Sequence, residues 1–193
     1  MASTTTQLTI VNRALQLLGS QSISSLQENS RGARAMNRAY LPRLHNLLRL
    51  GIWNFALARA ILAASATPPS FGKANYFPLP GDFLDLAPPD ETWNFNFTDW
   101  QIEGQQIASD DQSPIKIKYI TSSVTESMFD VCFAEAFAAD LAVNTCEELT
   151  QSNTKMATAA KAYDTAIEDA KKRNAFEKRP TKPAEDTWVT KRF

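Results

Sequence analysis

Two pairs of carboxylates are the first residues of this sequence that suggest chemistry. Asp82 stands three residues before Asp85, and Asp99 stands four residues before Glu103. A glycosidase uses two carboxyl groups across a cleft, one of which has a raised pKa. Both pairs lie in polar, turn-rich segments, where solvation and hydrogen bonding favour the ionised form. We therefore expect no catalytic residues here, and a hydrolase is kept as an alternative.

The single histidine and the two cysteines limit the other chemistries. A Ser-His-Asp hydrolase would have to use His45, which lies among leucines of a predicted helix, where a packed or interfacial side chain is expected. A structural zinc site takes four ligands, more than these residues supply. Cys132 and Cys146 share one predicted helix at a separation of about 21 Å, too far for a disulfide within a straight helix. We expect no metal and both thiols buried.

Known cofactor motifs are also missing from the sequence. It contains no GxGxxG, no GxxxxGK[ST] and no HExxH pattern. Nucleotide binding and zinc-peptidase chemistry thus have no motif to support them. We expect no cofactor.

Charge is distributed in blocks, although the net charge is only −1. Residues 1–60 hold seven arginines and one acid, residues 81–111 hold eight acids and no base, and residues 171–193 hold eight bases and three acids. Scattered solvated faces produce such blocks. A molecule with one acidic end and one basic end also produces such blocks. That polarity suits ordered stacking between unlike partners. Both interpretations are open at this stage.

Four arginines of the first block recur at roughly helical spacing. Arg31, Arg34, Arg38 and Arg49 would form a basic stripe, which suggests a small nucleic-acid-binding module as a second alternative. Specific DNA binders add net positive charge and a recognition motif, and this sequence has neither. We favour pairing of these arginines with acids of the same chain or of another subunit, such as Glu135, Asp140, Glu147 and Glu148.

The hydrophobic period predicts helices at both ends of the chain. A capping box at Thr4–Gln7 begins the first helix, and Asn29 or Ser30 caps the second. Pro42 lies inside the second helix, which predicts a kink or break near Arg38. From Ser127 the 3.6-residue period returns and predicts two further helices.

Between residues 53 and 120 the period is two residues. Alternating runs from Trp53 to Leu57, from Trp93 to Phe97 and from Ile115 to Tyr119 predict strands, and Gly104 marks a hairpin. The predicted fold class is α+β. Residues 1–52 and 121–176 form an up-and-down helical bundle, residues 53–120 form a small antiparallel β-sheet inserted between helices 2 and 3, and residues 177–193 form an extended C-terminal tail.

The predicted tail combines prolines, basic residues and apolar anchors. Its prolines disfavour a continued helix, and its aromatic residues suggest a segment that orders on a partner. The residues expected to dock are Lys178, Arg179, Pro180, Pro183, Trp188, Val189, Arg192 and Phe193.

Five segments resemble, in their order and spacing, the head-to-tail adaptor family of short-tailed phages, the tail tubular protein A type. They are QLTIVNRALQLLG (Gln7–Gly19), LLRLGIWNFALARAIL (Leu47–Leu62), YFPLPGDFLDL (Tyr76–Leu86), WQIEGQQIASDDQSPIKIKYI (Trp100–Ile120) and FAEAFAADLAVNTCEELTQS (Phe133–Ser152).

The resemblance implies a structural virion protein without catalysis. Members of the family form a ring of twelve subunits between the portal and the tail nozzle, through which genomic DNA passes. The implied partners are other copies of the chain, the portal protein, the nozzle protein and DNA bound without sequence specificity, with no membrane. The implied location is the virion, assembled in the host cytoplasm, and a peptidoglycan hydrolase is the enzymatic alternative.

The sheet region carries more large aromatic residues than one thin sheet face can bury. Because Trp and Phe are enriched at protein interfaces, we expect the surplus at contacts with another subunit or with the nozzle. The residues predicted there are Trp53, Phe55, Trp93, Phe95 and Trp100, together with Arg31, Arg34 and Arg38.

Overall fold

The computed structural model describes residues 5–89 and 94–177. Its helices are α1 (Gln7–Leu17), α2 (Arg31–Arg49), α3 (Val131–Thr150) and α4 (Asn153–Phe176). Its strands are β1 (Leu57–Leu62), β2 (Asn75–Pro78), β3 (Phe83–Leu86), β4 (Gln101–Glu103), β5 (Gln106–Ser109) and β6 (Ile115–Thr121). The α+β class predicted from the sequence is confirmed.

The strands form two small antiparallel sheets rather than the single sheet that we predicted. The first has the strand order β1-β6-β3 and the second the order β2-β5-β4. The predicted hairpin joins β4 to β5 through Gly104, whose φ of 60° lies in the left-handed region that favours glycine. The sheets pack around a shared apolar cluster that includes Phe77, Ile107, Ile115 and Ile117.

Two of the predicted strand runs are wrong. A short 3-10 helix covers Asn54–Ala56, so that the strand begins only at Leu57. Residues 94–97 form no strand, although Phe95 and Phe97 alternate with asparagines. Alternation at these positions marks which aromatic side chains pack inward, not a hydrogen-bonded ladder.

Hydroxyl side chains cap the starts of α1, α2 and α4, and the Asp130 carboxylate caps α3. Thr6, not Thr4–Gln7, caps α1, because its side chain accepts a hydrogen bond from the Thr9 amide while the Thr9 hydroxyl accepts one from the Thr6 amide. Ser30 caps α2 by accepting from the Ala33 amide at 3.2 Å. α3 ends at Thr150, and Gln151 caps it in the left-handed conformation with a φ of 51°.

α2 runs unbroken through Pro42, so the predicted break near Arg38 is wrong. Pro42 lacks the N–H that would bond to the Arg38 carbonyl. Because Pro42 lies on the exposed side of α2, water can reach that carbonyl, and the helix loses one bond without burying an unpaired group.

α3 is the central helix and packs against α1, α2 and α4. Its aromatic residues Phe133 and Phe137 are buried in a core that also takes in Trp53 and Ala56 from the segment before β1. This contact ties the sheet region to the helices. Within residues 5–89 and 94–177, no helix is long and apolar enough to cross a membrane.

Candidate interaction surfaces

The carboxylates singled out for catalysis are engaged in structural hydrogen bonds. Asp82 accepts from the Thr121 hydroxyl at 2.5 Å and from the Tyr119 hydroxyl at 3.1 Å. The Thr121 bond, with the help of Tyr119, lowers the pKa of Asp82. A general acid of a glycosidase needs the opposite shift. Asp82 instead connects the start of β3 to the end of β6.

Two of the other three acids, Asp85 and Asp99, also have partners. Asp85 forms an ion pair with Arg49 at 3.5 Å. Lys73 donates to both Asp99 and Asp110, and its bond lowers the pKa of Asp110. The two Lys73 contacts hold the loop before β2 against the loops that flank the β4–β5 hairpin.

Glu103 lines an open groove of about 460 Å³ on the outer face of the β2-β5-β4 sheet. It accepts a hydrogen bond from the Tyr76 hydroxyl at 2.7 Å. Phe71 and Lys73, which the sequence analysis did not single out, form part of the same wall. The groove holds one acid of the four considered above, so the two predicted carboxylate pairs do not converge on it.

The histidine and cysteines are dispersed. His45 is half-buried on α2, and the two cysteines are unlinked thiols. Cys146 is buried as expected, whereas Cys132 is only half-buried, because it lies in the first turn of α3; partial burial raises the pKa of Cys132. Across residues 5–89 and 94–177, no cluster of three or more His, Cys, Asp or Glu side chains could hold a metal ion.

The arginine stripe is largely occupied inside the chain. Arg38 pairs with both carboxylate oxygens of Glu148, at 2.6 and 2.8 Å, as the intramolecular interpretation predicts. Arg31 donates to the backbone carbonyl of Glu148, and Arg34 donates to the side chain of Asn29. Of Arg31, Arg34 and Arg38, only Arg38 pairs with an acid among the described residues.

Two further arginines link helices to α3. Arg13 reaches Glu135 and Arg43 reaches Asp140, with Nε–carboxylate distances of 2.9 and 2.8 Å. Three of the seven arginines of residues 1–60 are thus paired with acids of α3. The described helices do not form a purely basic end.

Of the aromatic residues predicted at interfaces, Trp53 is a core residue instead, and Phe55 packs against the core. Trp53 is 1% exposed, and its Nε1 donates to the Leu47 carbonyl at 2.9 Å. Phe55 is half-buried, with its ring 4.8 Å from that of Phe133. The short 3-10 helix and its cap place both rings against Phe133 of α3.

Phe95 and Trp100 lie together with Phe97 at the sheet end of the molecule. The centroids of the Phe95 and Trp100 rings are 5.7 Å apart, and Phe97 is buried beneath them. Trp100 is 36% exposed and Phe95 is half-buried, so part of this cluster remains available for contact. Trp93, which was predicted to belong with them, lies outside the described residues.

The most exposed apolar side chains were missed by the sequence analysis. Phe71 is 90% exposed in the loop between β1 and β2, Phe176 is 81% exposed at the end of α4, and Val131 is 76% exposed at the start of α3. A Phe beside a glycine in a Pro-rich loop, as at Phe71, was the available signal. Ile61 on β1 is also mostly exposed.

The described chain ends next to β1. Asn54, three residues before β1, donates from its amide group to a carboxylate oxygen of Glu177 at 3.1 Å and to the Asn174 carbonyl at 2.8 Å. The predicted docking residues from Lys178 to Phe193 lie outside the described part of the chain.

Comparisons with protein-family models and with curated proteins find no match for this chain.

Proposed function

We propose that this protein is a structural virion protein, a head-to-tail adaptor whose copies form a ring between portal and tail nozzle. DNA passes through the ring without sequence-specific binding. The proposal extends to a ring of twelve copies, assembled in the host cytoplasm and located in the virion. It includes no catalytic step and no cofactor.

The observation that carries the proposal is the order of elements. Two helices, a region of short strands and two further helices follow one another, as the resemblance of the five segments implies. The described segments Gln7–Gly19 and Phe133–Ser152 correspond to α1 and α3, which pack against each other.

The proposed arrangement of the helices is an up-and-down bundle. Arg38 pairs with Glu148 and Arg43 with Asp140, so residue numbers rise along α2 as they fall along α3, which supports antiparallel neighbours. The Lys155 side chain donates to the Leu18 carbonyl at 2.7 Å, which brings the end of α1 to the start of α4.

Exposed apolar side chains at separate places on the surface support assembly. Phe71 and Trp100 belong to the sheet region, whereas Val131 and Phe176 belong to the helices. A ring subunit needs contacts on more than one side, and interface cores are enriched in such residues. We assign Phe95 and Trp100, together with Trp93, to contacts with another subunit or with the nozzle, and Arg31, Arg34 and Arg38 to the same class of contact.

The two alternatives have less support from the geometry. A peptidoglycan hydrolase would need a carboxyl with a raised pKa, whereas Asp82 and Asp110 are shifted downward. A nucleic-acid-binding module would need free cations along the helix, whereas Arg38 is paired with Glu148.

The deciding experiment is assembly with a portal. The purified protein is mixed with the portal protein of a short-tailed phage, and the product is examined by native mass spectrometry and negative-stain microscopy. We expect a ring with a central pore attached to the portal. A monomer that binds no portal, or that degrades peptidoglycan, contradicts the proposal.

A second experiment tests the proposed role of the C-terminal segment in binding the portal. A chain ending at Arg179 is compared with the full chain. We expect the shortened chain to keep its circular dichroism spectrum and to lose most of its affinity for the portal, because it lacks the apolar anchors Trp188, Val189 and Phe193. Unchanged affinity contradicts this role.

A further inference from the structure

The two sheets of the protein turn their outer faces away from each other. Ile117 of the β1-β6-β3 sheet and Ile107 of the β2-β5-β4 sheet both lie in the shared apolar cluster, at 1% and 0% exposure. In a strand, successive side chains point to opposite faces of the sheet. The residues that alternate with Ile117 and Ile107 therefore lie on two outer faces, on opposite sides of the sheet region.

The outer face of the β1-β6-β3 sheet is basic. Arg59 lies opposite Lys118 and Ile61 lies opposite Lys116, so these four side chains share that face. Arg59 and Lys116 are exposed and Ile61 is 68% exposed, whereas Lys118 is buried. Neither Arg59 nor Lys116 forms an ion pair within the described part of the chain. Asp85, the one acid in these three strands, already pairs with an arginine of α2.

The outer face of the β2-β5-β4 sheet holds the groove that contains Glu103. Tyr76, Ala108 and Gln101 form one row across the three strands, and the short Ala108 side chain leaves a depression between its neighbours. The Glu103 carboxylate accepts from the Tyr76 hydroxyl at 2.7 Å and from the Gln101 side chain, which are neutral donors. These bonds orient the carboxylate, and no cation of the described chain pairs with it.

Further acids and an exposed ring surround the same groove. Lys73 pairs with both Asp99 and Asp110, so that, with Glu103, three acids on this side are offset by a single lysine. Phe71, which is 90% exposed, lies in the loop that forms the other wall. Each outer face therefore combines an exposed apolar side chain with uncompensated charge, and the two charges are opposite in sign.

We propose that the basic outer face of one copy packs against the acidic outer face of a second copy of this chain. Arg59 of the first copy lies beside Glu103 of the second. Ile61 of the first copy packs against Phe71 of the second. A guanidinium suits this groove, because it can bond to a carboxylate and stack its plane on the Tyr76 ring. Complementary potentials on the two faces set the orientation of the copies.

The contact joins two different surfaces and is therefore heterologous. Each series of copies keeps one free basic face and one free acidic face at its ends, so it grows in one direction and stops when the rotation closes a ring. The inference deepens the adaptor proposal and rests on it for the closure of the ring. The contact itself follows from the charges and exposed side chains of the two faces.

Charge reversal in the full chain tests the contact. Arg59→Glu, Glu103→Arg and the double variant Arg59→Glu/Glu103→Arg are compared with the unmodified chain by sedimentation velocity, at low ionic strength and up to millimolar concentration. We expect the unmodified chain to associate and each single reversal to weaken association by about tenfold or more, because attraction becomes repulsion. The double variant should recover most of the association, since both charges change sign together. Circular dichroism checks that each variant is folded.

The matched controls are Lys161→Glu on α4 and Glu147→Arg on α3, which make the same reversals at exposed helix residues outside both faces. We expect both to associate like the unmodified chain. An unmodified chain that stays monomeric at millimolar concentration, an equal loss in the controls, or no recovery in the double variant overturns the proposal. The assay contains no portal, so these outcomes leave the adaptor proposal standing. Association through these faces without binding to a portal would overturn the adaptor proposal alone.

A mixture of two cysteine variants reports whether the contact is heterologous. Chains with Ile61→Cys and chains with Phe71→Cys, each also carrying Cys132→Ser, are mixed and mildly oxidised. We expect disulfides between unlike chains to exceed those between like chains several-fold, as measured by mass spectrometry of peptides. An excess of bonds between like chains would indicate an isologous contact and overturn the proposal, as would the absence of any bond between chains.

Discussion

Asp140 and Arg43 form the most enclosed charged pair of the described structure. The Asp140 side chain is 4% exposed, and both of its oxygens accept from Arg43. Removal of one partner from such a pair leaves the other charge without compensation in a poorly solvated place. The pair therefore fixes how α2 lies on α3 more than it adds net stability.

We predict that Asp140→Ala lowers the free energy of unfolding by about 3 kcal/mol. The matched control is Glu148→Ala, which breaks the exposed pair with Arg38 and should cost less than about 1 kcal/mol. Urea denaturation followed by circular dichroism measures both. Equal losses in the two variants would show that burial of the Asp140 pair does not matter.

Asp82 gives the protein a predictable response to acid. Its pKa is lowered in the folded state, below the ordinary value of 3.8, by the Thr121 and Tyr119 hydroxyls. A group with a lowered pKa stabilises the fold above its unfolded pKa, and that contribution is lost as the pH falls through the folded pKa.

We predict that Asp82→Asn destabilises the protein at neutral pH and that the difference from the unmodified chain narrows below about pH 4. Thermal unfolding measured from pH 7 to pH 2.5 tests this. Thr121→Val should remove part of the same pH dependence, because it deletes the main donor. The same difference in stability between Asp82→Asn and the unmodified chain at every pH would contradict this prediction.

At the scale of the element, Pro42 lowers the stability of α2, because it removes one backbone hydrogen bond from the helix. The helix continues on both sides of the proline, so the Arg38 carbonyl lacks only its usual donor. We predict that Pro42→Ala raises the free energy of unfolding by about 2 kcal/mol and that Pro42→Gly raises it by about 1 kcal/mol less. Denaturant titration of both variants provides the comparison. No gain with alanine would mean that α2 is bent to suit the proline.

The β4–β5 hairpin depends on Gly104. Its positive φ strains any residue with a side chain, although a Cβ there would meet no other atom within 4 Å. We predict that Gly104→Ala costs about 1 kcal/mol. Gly81→Ala, also without a neighbour within 4 Å but at an ordinary φ, should be close to neutral. Thermal shift of the two variants separates backbone strain from crowding.

The elements also mark how far the sequence predicts this fold. Long periodic segments predict α3 and α4, and hydroxyl and glycine signals predict the Ser30 cap and the Gly104 turn. The alternation of Trp53 and Phe55 led to a wrong strand prediction, because the same aromatic spacing also occurs in a 3-10 turn that packs onto α3. Pro42 led to a wrong prediction of a helix break, because its position on the exposed side of α2 depends on the tertiary structure.

The surface could be predicted less well than the core. Acid–arginine pairing was expected, but the partner of each arginine depends on how α2 and α1 meet α3. Exposure of Phe71 and Phe176 depends on where a loop and a helix end lie in space. No periodicity in the sequence carries that information.

At the scale of the whole molecule, a substitution at Phe71 allows the proposed assembly to be tested separately from stability. The Phe71 side chain contributes nothing to the core, whereas Phe77, six residues later, is fully buried. We predict that Phe71→Ser leaves the unfolding temperature unchanged and, under the proposed adaptor function, weakens attachment to the portal, measured by native mass spectrometry. Phe77→Ala should lower stability by about 3 kcal/mol or more. Normal attachment of Phe71→Ser to the portal would remove Phe71 from the proposed interface.

The contacts between Asn54 and Asn174 have a mechanical consequence. Asn174 accepts from the Asn54 amide at 2.8 Å and donates to the Ile52 carbonyl at 2.7 Å, while the Asn54 side chain reaches the Asn174 carbonyl. Tension applied at the C-terminal segment is therefore carried past the last turn of α4 into the junction between α2 and β1. The load is shared by two parts of the chain about 120 residues apart in sequence, so a pull from a partner need not unwind α4 from its end.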